Sequence, residues 1–415
     1  MPDPIIRLRN VIALSKAETI EGTDAVPTAG IDAFPFEIDS LSIGSPYTVE
    51  ESNEATGTDI AGAPLIVGNS TKFAIRMRLK GAGAGAVYSA GIKPPSHALL
   101  QSCGLRGVFT AAVAATALAA GTVSSATLAA PYAATSNLYR GQRLVLAGGA
   151  PAGAHPLIAD YTAGRVATLV DLFGAALTAG TTAEIKPNWT YAPTSPATQA
   201  ERTADQPSNT TYCHVDGILY KLFGMRGTAK VVADTAKALY LEISGDCIWG
   251  GQSDVAQPTN AVVASHVGPV LNMGVAISPA FSVNRKLLPI SQFSYDFARQ
   301  VESFEDPNTP QGFGAAQIMG RAGMLECDPL KTTLAVRNHL ADLEAALGGA
   351  ASMVGAVRAG TVSGNRVALT FPNLFPSKVE MAARKGAASE NLGYRALSSG
   401  RDAAGRDGDA IIVFD

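Results

Sequence analysis

The stretch TYCHVDGILYKLFGMRGTAKVVAD, continued by KALYLEISGDCIWG, alternates apolar and polar residues on either side of an Asp-Gly pair at Asp216 and Gly217. That pattern calls for two antiparallel strands and a two-residue turn, because the turn needs positive φ at both positions and Asp-Gly supplies it. A second turn is expected near Asp234. The same period of two marks FPFEIDSLSIG (35–45) and KFAIRMRLKG (72–81), two strands expected to pair. SQFSYDFARQVESFED and the closing DAIIVFD are also strand-like, while GNRVALTFPN opens a helix-poor stretch of acidic and basic residues. Helical spacing is confined to LKTTLAVRNHLADLEAAL (330–347), with Asp328 placed to cap it and Pro329 in its first turn, and to the short SHALLQSCG (96–104). The chain should therefore be mainly β with one or two packing helices.

Two segments do not fit a simple run of strands. Between the strands at 35–45 and 72–81 lies SPYTVEESNEATGTDIAGAPLIVGNS, acidic, Gly-rich and far longer than an ordinary hairpin connection. Because it ends in the apolar PLIVG, it is expected to become ordered against a neighbouring subunit. After SHALLQSCG the composition turns to alanine, threonine and glycine until about Lys186. There TVSSATLAA, LYRGQRLVLAGG, HPLIADY and RVATLV read as short strands divided by Gly-rich turns. The Ala-rich lead-in reads equally as helix or linker. The expected division is a core in two parts, 1–110 and 188–415, carrying an inserted small β-domain at 111–187.

Composition narrows the function. With 32 basic against 35 acidic residues, the net charge of −3 gives no surplus for neutralising phosphates, so tight nucleic-acid binding is not expected. At 16% charged residues, the surface suits burial against copies of itself. Cys103, Cys213, Cys247 and Cys327 lie far apart and form no metal-ligand spacing, which points to buried thiols in a reducing compartment. The opening residues lack a continuous apolar h-region and no apolar run reaches spanning length, so a cytoplasmic origin without membrane insertion is expected.

Catalytic and cofactor patterns are missing as well. The five histidines, His97, His155, His214, His266 and His339, stand singly, and neither a GxSxG elbow nor a GK[ST] phosphate loop occurs. GAGAG (81–85) is followed by Pro94 and Pro95 instead of a helix start, so it reads as a loop; GGAPAGAH (148–155) reads as a turn. Glu50, Glu51, Glu54 and Asp59 cluster in one loop as a solvated face and not as the facing pair a glycosidase needs. No catalytic, cofactor or metal site is expected, and the protein reads as a non-enzyme.

Read in order, several segments resemble the tail tube proteins of long-tailed, siphovirus-type bacteriophages, the major tail protein family. KAETIEGTDAVPTAGIDAFPFEIDSLSI (16–43) is similar to that family's opening Glu-x-x-x-Gly-x-x-Ala-x-Pro-Thr and first strand. VGNSTKFAIRMRLKGAGAG looks like its second strand, and HALLQSCGL like its short helix ending in Cys-Gly. The strongest likeness is HVDGILYKLFGMRGTAKVVADTAKALYLEISG (214–245), where Asp216, Gly217, Lys221, Gly224, Arg226, Gly227 and Thr228 match the family pattern. Residues 111–186 have no counterpart in that pattern, although YRGQRLVLAGGAPAGAHPLIADYTAGRVATL resembles small β-modules appended to other phage virion proteins.

The resemblance implies a β-sandwich with a flanking helix, six copies of which close into a ring whose inner strands form a continuous β-barrel. Stacked rings make a hollow tube through which duplex DNA passes. It also implies tape measure, tail terminator and tail-tip proteins as partners, with assembly in the bacterial host cytoplasm. The loop at 44–69 matches the family's reach to the adjacent ring, which assigns Tyr47, Glu50, Glu51, Glu54, Asp59, Leu65 and Ile66 to the inter-ring contact. The inserted domain is expected on the tube exterior. The competing reading is a tail-tip, baseplate or adhesin-type receptor-binding protein, which would be rare in the virion where a tube subunit is abundant.

Overall fold

At the Asp-Gly pair both turn residues take positive φ, +45° at Asp216 and +100° at Gly217, and Val215 pairs directly with Ile218 across it. This is the type I′ geometry that matches the twist of the flanking strands. The computed structural model describes residues 5–55, 57–60, 62–149, 151–272, 278–349 and 352–415. Strands make up 45% of the chain and helices 6%, so the fold is mainly β, built of large antiparallel sheets.

The first part runs β1 (Val11–Ala17), β2 (Ala33–Phe34), β3 (Ser42–Ile43), β4 (Tyr47–Glu50), β5 (Leu65–Gly68), β6 (Thr71–Arg78), α1 (His97–Ser102) and β7 (Leu105–Thr110). A module follows with β8 (Val113–Ala117), β9 (Ala120–Gly121), β10 (Ser125–Thr127), β11 (Val145–Ala147), β12 (Ile158–Tyr161), β13 (Val166–Leu169) and β14 (Thr182–Ile185). The chain returns through β15 (Asn188–Pro193), α2 (Gln199–Asp205), β16 (Asn209–Val215), β17 (Ile218–Asp234) and β18 (Tyr240–Asp254). The last part comprises β19 (Phe281–Val283), β20 (Lys286–Leu287), β21 (Gln292–Asp296), β22 (Arg299–Glu305), β23 (Phe313–Arg321), β24 (Met324–Cys327), α3 (His339–Ala345), β25 (Met353–Ala359), β26 (Val367–Arg384), β27 (Ala387–Ala396) and β28 (Ile411–Phe414).

Eight of these strands form one continuous antiparallel surface in the order β3, β6, β18, β17, β21, β24, β27, β26. Strand alternation gives it one apolar and one polar face. Phe73, Ile75, Met77, Val231, Leu241, Ile243, Phe293, Tyr295, Leu325, Leu392 and Tyr394 point into the main core, where they meet Leu99, Leu100, Tyr191, Val357, Leu369, Phe371 and Phe414. Burying each such large apolar side chain stabilises the fold by about 1.5–3 kcal/mol before chain entropy is counted.

Two expectations need correcting. The segment at 35–45 does run beside β6, but only Ser42 and Ile43 pair with it, because Ile38–Ser40 form a 3-10 turn. The Ser40 hydroxyl holds that turn by donating to the Glu37 carbonyl and accepting from the Arg76 N–H at 2.9 Å. The helix expected over 330–347 is only α3, capped by Asn338, whose side chain accepts from the Ala341 N–H at 3.1 Å. Asp328 caps nothing; it accepts from the N–H groups of Ser291 and Gln292 at 2.8 and 2.9 Å. Lys331 N–H donates to Ala388 and Leu330 bridges Ser389, so the first residues extend the sheet.

The module leaves and re-enters the body through β7 and β15, which are neighbouring antiparallel strands with Thr110 opposite Asn188. Its two small sheets enclose a separate core of Leu118, Leu128, Leu146, Ile158, Leu169, Ile185 and an edge-to-face chain of Tyr132, Tyr139 and Tyr161. The Ala-rich lead-in is strand β8, neither helix nor linker. Leu157, Ala159 and Val170 pack the module onto Ala356, Ala368 and Val413. The alternate residues Val357, Val367, Leu369, Ile412 and Phe414 face the main core, so the module lies on the side of that layer away from the eight-strand surface.

Candidate assembly surfaces

The loop at 44–69 contains a two-stranded hairpin arm, β4 with β5, pairing Tyr47 with Gly68, Val49 with Ile66 and Glu50 with Leu65. Tyr47, Val49 and Ile66 therefore share one face; Gln311 lies against its Gly68 end, while Val49 is 55% and Ile66 72% exposed. An isolated hairpin is marginal in water, and an uncovered apolar face on one marks a contact surface. Leu65 is on the opposite face beside Glu50. Glu51, Glu54 and Asp59 lie exposed toward the tip, where Thr56 and Ala61 are outside the described residues. The residues named from sequence for the inter-ring contact thus divide among a face with Tyr47 and Ile66, the opposite face with Glu50 and Leu65, and an acidic tip.

The motif residues near the first hairpin do a different job: they build a seat for a second arm, β22 with β23. Gly224 has φ +60°, and its missing Cβ would come within 2.7 Å of Ala315 on that arm. Arg226, 3% exposed, donates to the carbonyls of Gln206 at 2.8 Å and of Ala316 at 2.6 Å, and pairs with Glu21. At Gly227 a Cβ would meet the Ser244 carbonyl at 2.5 Å, and Thr228 Oγ1 accepts from the Arg299 N–H at 3.0 Å. Lys221 Nζ reaches Asp24 at 3.4 Å, while Asp216 accepts from the Arg7 N–H and from Asn10.

Sequence reasoning named the two motif stretches separately and missed that they converge. The buried Glu18 carboxylate accepts from the N–H groups of Gly22 and Gly224, both at 2.7 Å, and from the hydroxyls of Ser208 and Thr210. One carboxylate thereby ties the opening Glu-x-x-x-Gly segment to the Gly224 bulge. The second arm itself was also missed, because QVESFED reads as an ordinary strand.

The polar face of the eight-strand surface is concave, a depression of ≈ 570 Å³ lined in part by Arg76, Lys230, Glu242, Ser294, Glu326 and Lys378. Its charges largely answer one another: Arg76 with Glu242 at 3.4 Å, Lys237 with Asp234 at 2.7 Å, Lys378 with Glu380 at 2.9 Å and Arg384 with Asp328 at 3.3 Å. Such pairs add little stability at a wet surface. Their effect is to leave a polar wall without a net field that would hold or repel a polyanion. Among the described residues neither lateral edge of this surface pairs with a further strand: β3 pairs only with β6, and 378–384 of β26 only with β27.

Several other titratable groups are buried in the fold. Burial pushes the thiols of Cys103 and Cys213 up to about 12. Burial, with Lys93 nearby, pulls His97 down to about 3, and the neutral ring meets the Tyr191 hydroxyl at 2.7 Å. Where the module meets the body, Asp171 and Arg358 pair at 2.6 Å, and Asp415 lies between Arg143 at 3.0 Å and Arg366 at 2.8 Å. Among the described residues no group of His, Cys, Asp and Glu is arranged to hold a metal, and no helix is long and apolar enough to cross a membrane. GAGAG is a loop against 363–365, with Gly83 and Gly85 N–H donating to Gly364 and Ser363. No known family model matches the sequence, and no curated protein matches it.

Proposed function

We propose that this chain is a tail tube subunit of a long-tailed bacteriophage, a structural virion protein that assembles into stacked rings around a channel for duplex DNA. The observation that carries the reading is the continuous eight-strand surface, polar, concave and charge-balanced on one face and open at both edges. An open edge is a template for pairing with another chain, and a heterologous edge-to-edge contact closes into a ring when the rotation permits. Placed around a channel, the paired charges let DNA slide without being gripped, since counterion release needs unneutralised Lys and Arg.

Two further features support the same arrangement. The arm β4–β5 carries an apolar face and an acidic tip that suit contact with an adjoining subunit or ring. The module sits on the side of the body away from the concave face, so it would decorate the outside and leave the channel clear. In this role the tape measure, terminator and tail-tip proteins are the partners, the place of work is the virion tail, and no chemistry is required of the chain. Electron microscopy of the purified protein across a concentration series tests the reading. Rings and hollow tubes are the expected result; a particle that stays monomeric throughout would contradict it.

A further inference from the structure

The two halves of the body are built on one plan. The first pairs in the order β3, β6, β18, β17, β16, β1; the second in the order β21, β24, β27, β26, β25, β19. Each places a hairpin arm between its first two strands, β4–β5 in one and β22–β23 in the other. Each follows with a short helix and a left-handed glycine, Gly104 at φ +71° and Gly349 at φ +74°.

The long strands correspond too. β17 pairs with β16 through its first part, breaks register and then runs on past it beside β18; β26 likewise runs on past β25 beside β27. In the first half that extension has a partner on its open side: 230–234 pair with 292–296 of the second half. In the second half the equivalent extension, 378–384, pairs with β27 alone, and Met381 on it is 79% exposed. At the other end of the surface β3, the counterpart of β21, pairs with β6 alone. There the 3-10 turn at Ile38–Ser40 blunts the edge, and only Ser42 and Ile43 stay extended along β6 with their outer side free for a strand.

We propose that the 378–384 edge receives the extended Ser42–Ile43 edge of a second copy of this chain, and that three copies close a ring in this way. The joint between the halves is the template, since the missing contact is the same contact made between chains. The arms follow the same logic. The arm β22–β23 crosses the internal joint into the seat at Gly224–Thr228, with Arg299 donating to the Gly104 carbonyl at 2.8 Å. The arm β4–β5 exposes Tyr47, Val49 and Ile66 on one face, and the matching region of the second half presents Leu347, 88% exposed, beside Gly349.

The number three comes from the width of the channel and rests on the tube reading. With strands about 4.8 Å apart and tilted about 40°, eight strands from each of three chains enclose a lumen of roughly 38 Å after side chains. Two chains would leave roughly 22 Å, too tight for a hydrated duplex, and six roughly 85 Å, far wider than one needs.

A cysteine pair across the joint tests this in the full chain. Ser42→Cys combined with Glu380→Cys or with Ala382→Cys brackets the register, and the four native cysteines are buried. Mild oxidation of assembled rings should give a ladder on a non-reducing gel that ends at three chains. A ladder reaching six overturns three-chain closure, and rings that crosslink with neither pair overturn the joint. Absence of rings or tubes from the unsubstituted chain would instead sink the tube reading itself. Met381→Asp supplies a second test: its unfolding midpoint should match the parent while ring formation is lost, and normal assembly would overturn the edge contact.

Discussion

Asp171 and Arg358 meet at 2.6 Å with both side chains at most 5% exposed, one on the module and one on the body. Removing one member of such a pair leaves the other charged, buried and unanswered. Asp171→Ala should therefore lower stability in urea unfolding by about 3–5 kcal/mol, and adding Arg358→Met should recover much of it. Buried neutral histidines lose stability on acidification, in the same direction as a salt-bridged carboxylate. Burial holds His97 near 3 and burial with Arg366 holds His155 near 4, both below the ordinary 6.5. Below pH 6.5 the unfolded chain takes up protons that the folded chain refuses. Stability should fall as pH drops from 6.5 toward 4, by up to about 1.4 kcal/mol per pH unit for His97 and by less for the partly exposed His155. His155→Gln should make the fall measurably shallower in denaturant titrations at pH 7, 6 and 5; an unchanged slope would count against a buried neutral ring. None of this was legible in sequence, since Asp171 and Arg358 are 187 residues apart.

Hairpins and arms are where sequence patterns carried furthest. Asp216-Gly217 announces its turn because the pair is favoured at two successive positive φ values. Lys385-Gly386 makes a turn of the same kind, at φ +50° and +82°, and passes unnoticed because lysine carries no such preference. The helix at 330–347 failed for a related reason: its apolar spacing was right, but Leu330 and Lys331 are held by backbone pairing with β27, so helix begins only after Asn338. The Gly224–Thr228 seat predicts that Arg226→Ala, which strips two carbonyls of a buried donor, costs on the order of 3 kcal/mol. The arm at 299–321 should then exchange its amide hydrogens before the rest of the sheet does; uniform exchange would argue against a seat. On the other arm, reversing Glu50, Glu51 and Glu54 to lysine should leave the unfolding midpoint within error and reduce tube length in micrographs. Equal loss of monomer stability would remove these residues from the contact.

For the whole molecule, composition and alternation sufficed for a mainly β chain, but the repeat of one plan in two halves was invisible. Its two arms, helices and long strands share topology with little shared sequence, and the module splits only one copy. The module also shows why size and energetic weight differ. Deleting 111–187 and closing Thr110 to Asn188, which already pair, opens the Arg358 side of the interface to water, where the charge is hydrated. The deletion should therefore be folded, competent in assembly and less destabilised than Asp171→Ala, a ranking that thermal unfolding of the two variants decides. The most direct test of the account is a cryo-electron-microscopy reconstruction of the assembled protein. The expected density is a hollow wall with Arg76, Lys230, Glu242, Glu326 and Lys378 lining the channel and the module outside. A reconstruction with that polar face turned outward, or with the module in the channel, would contradict it.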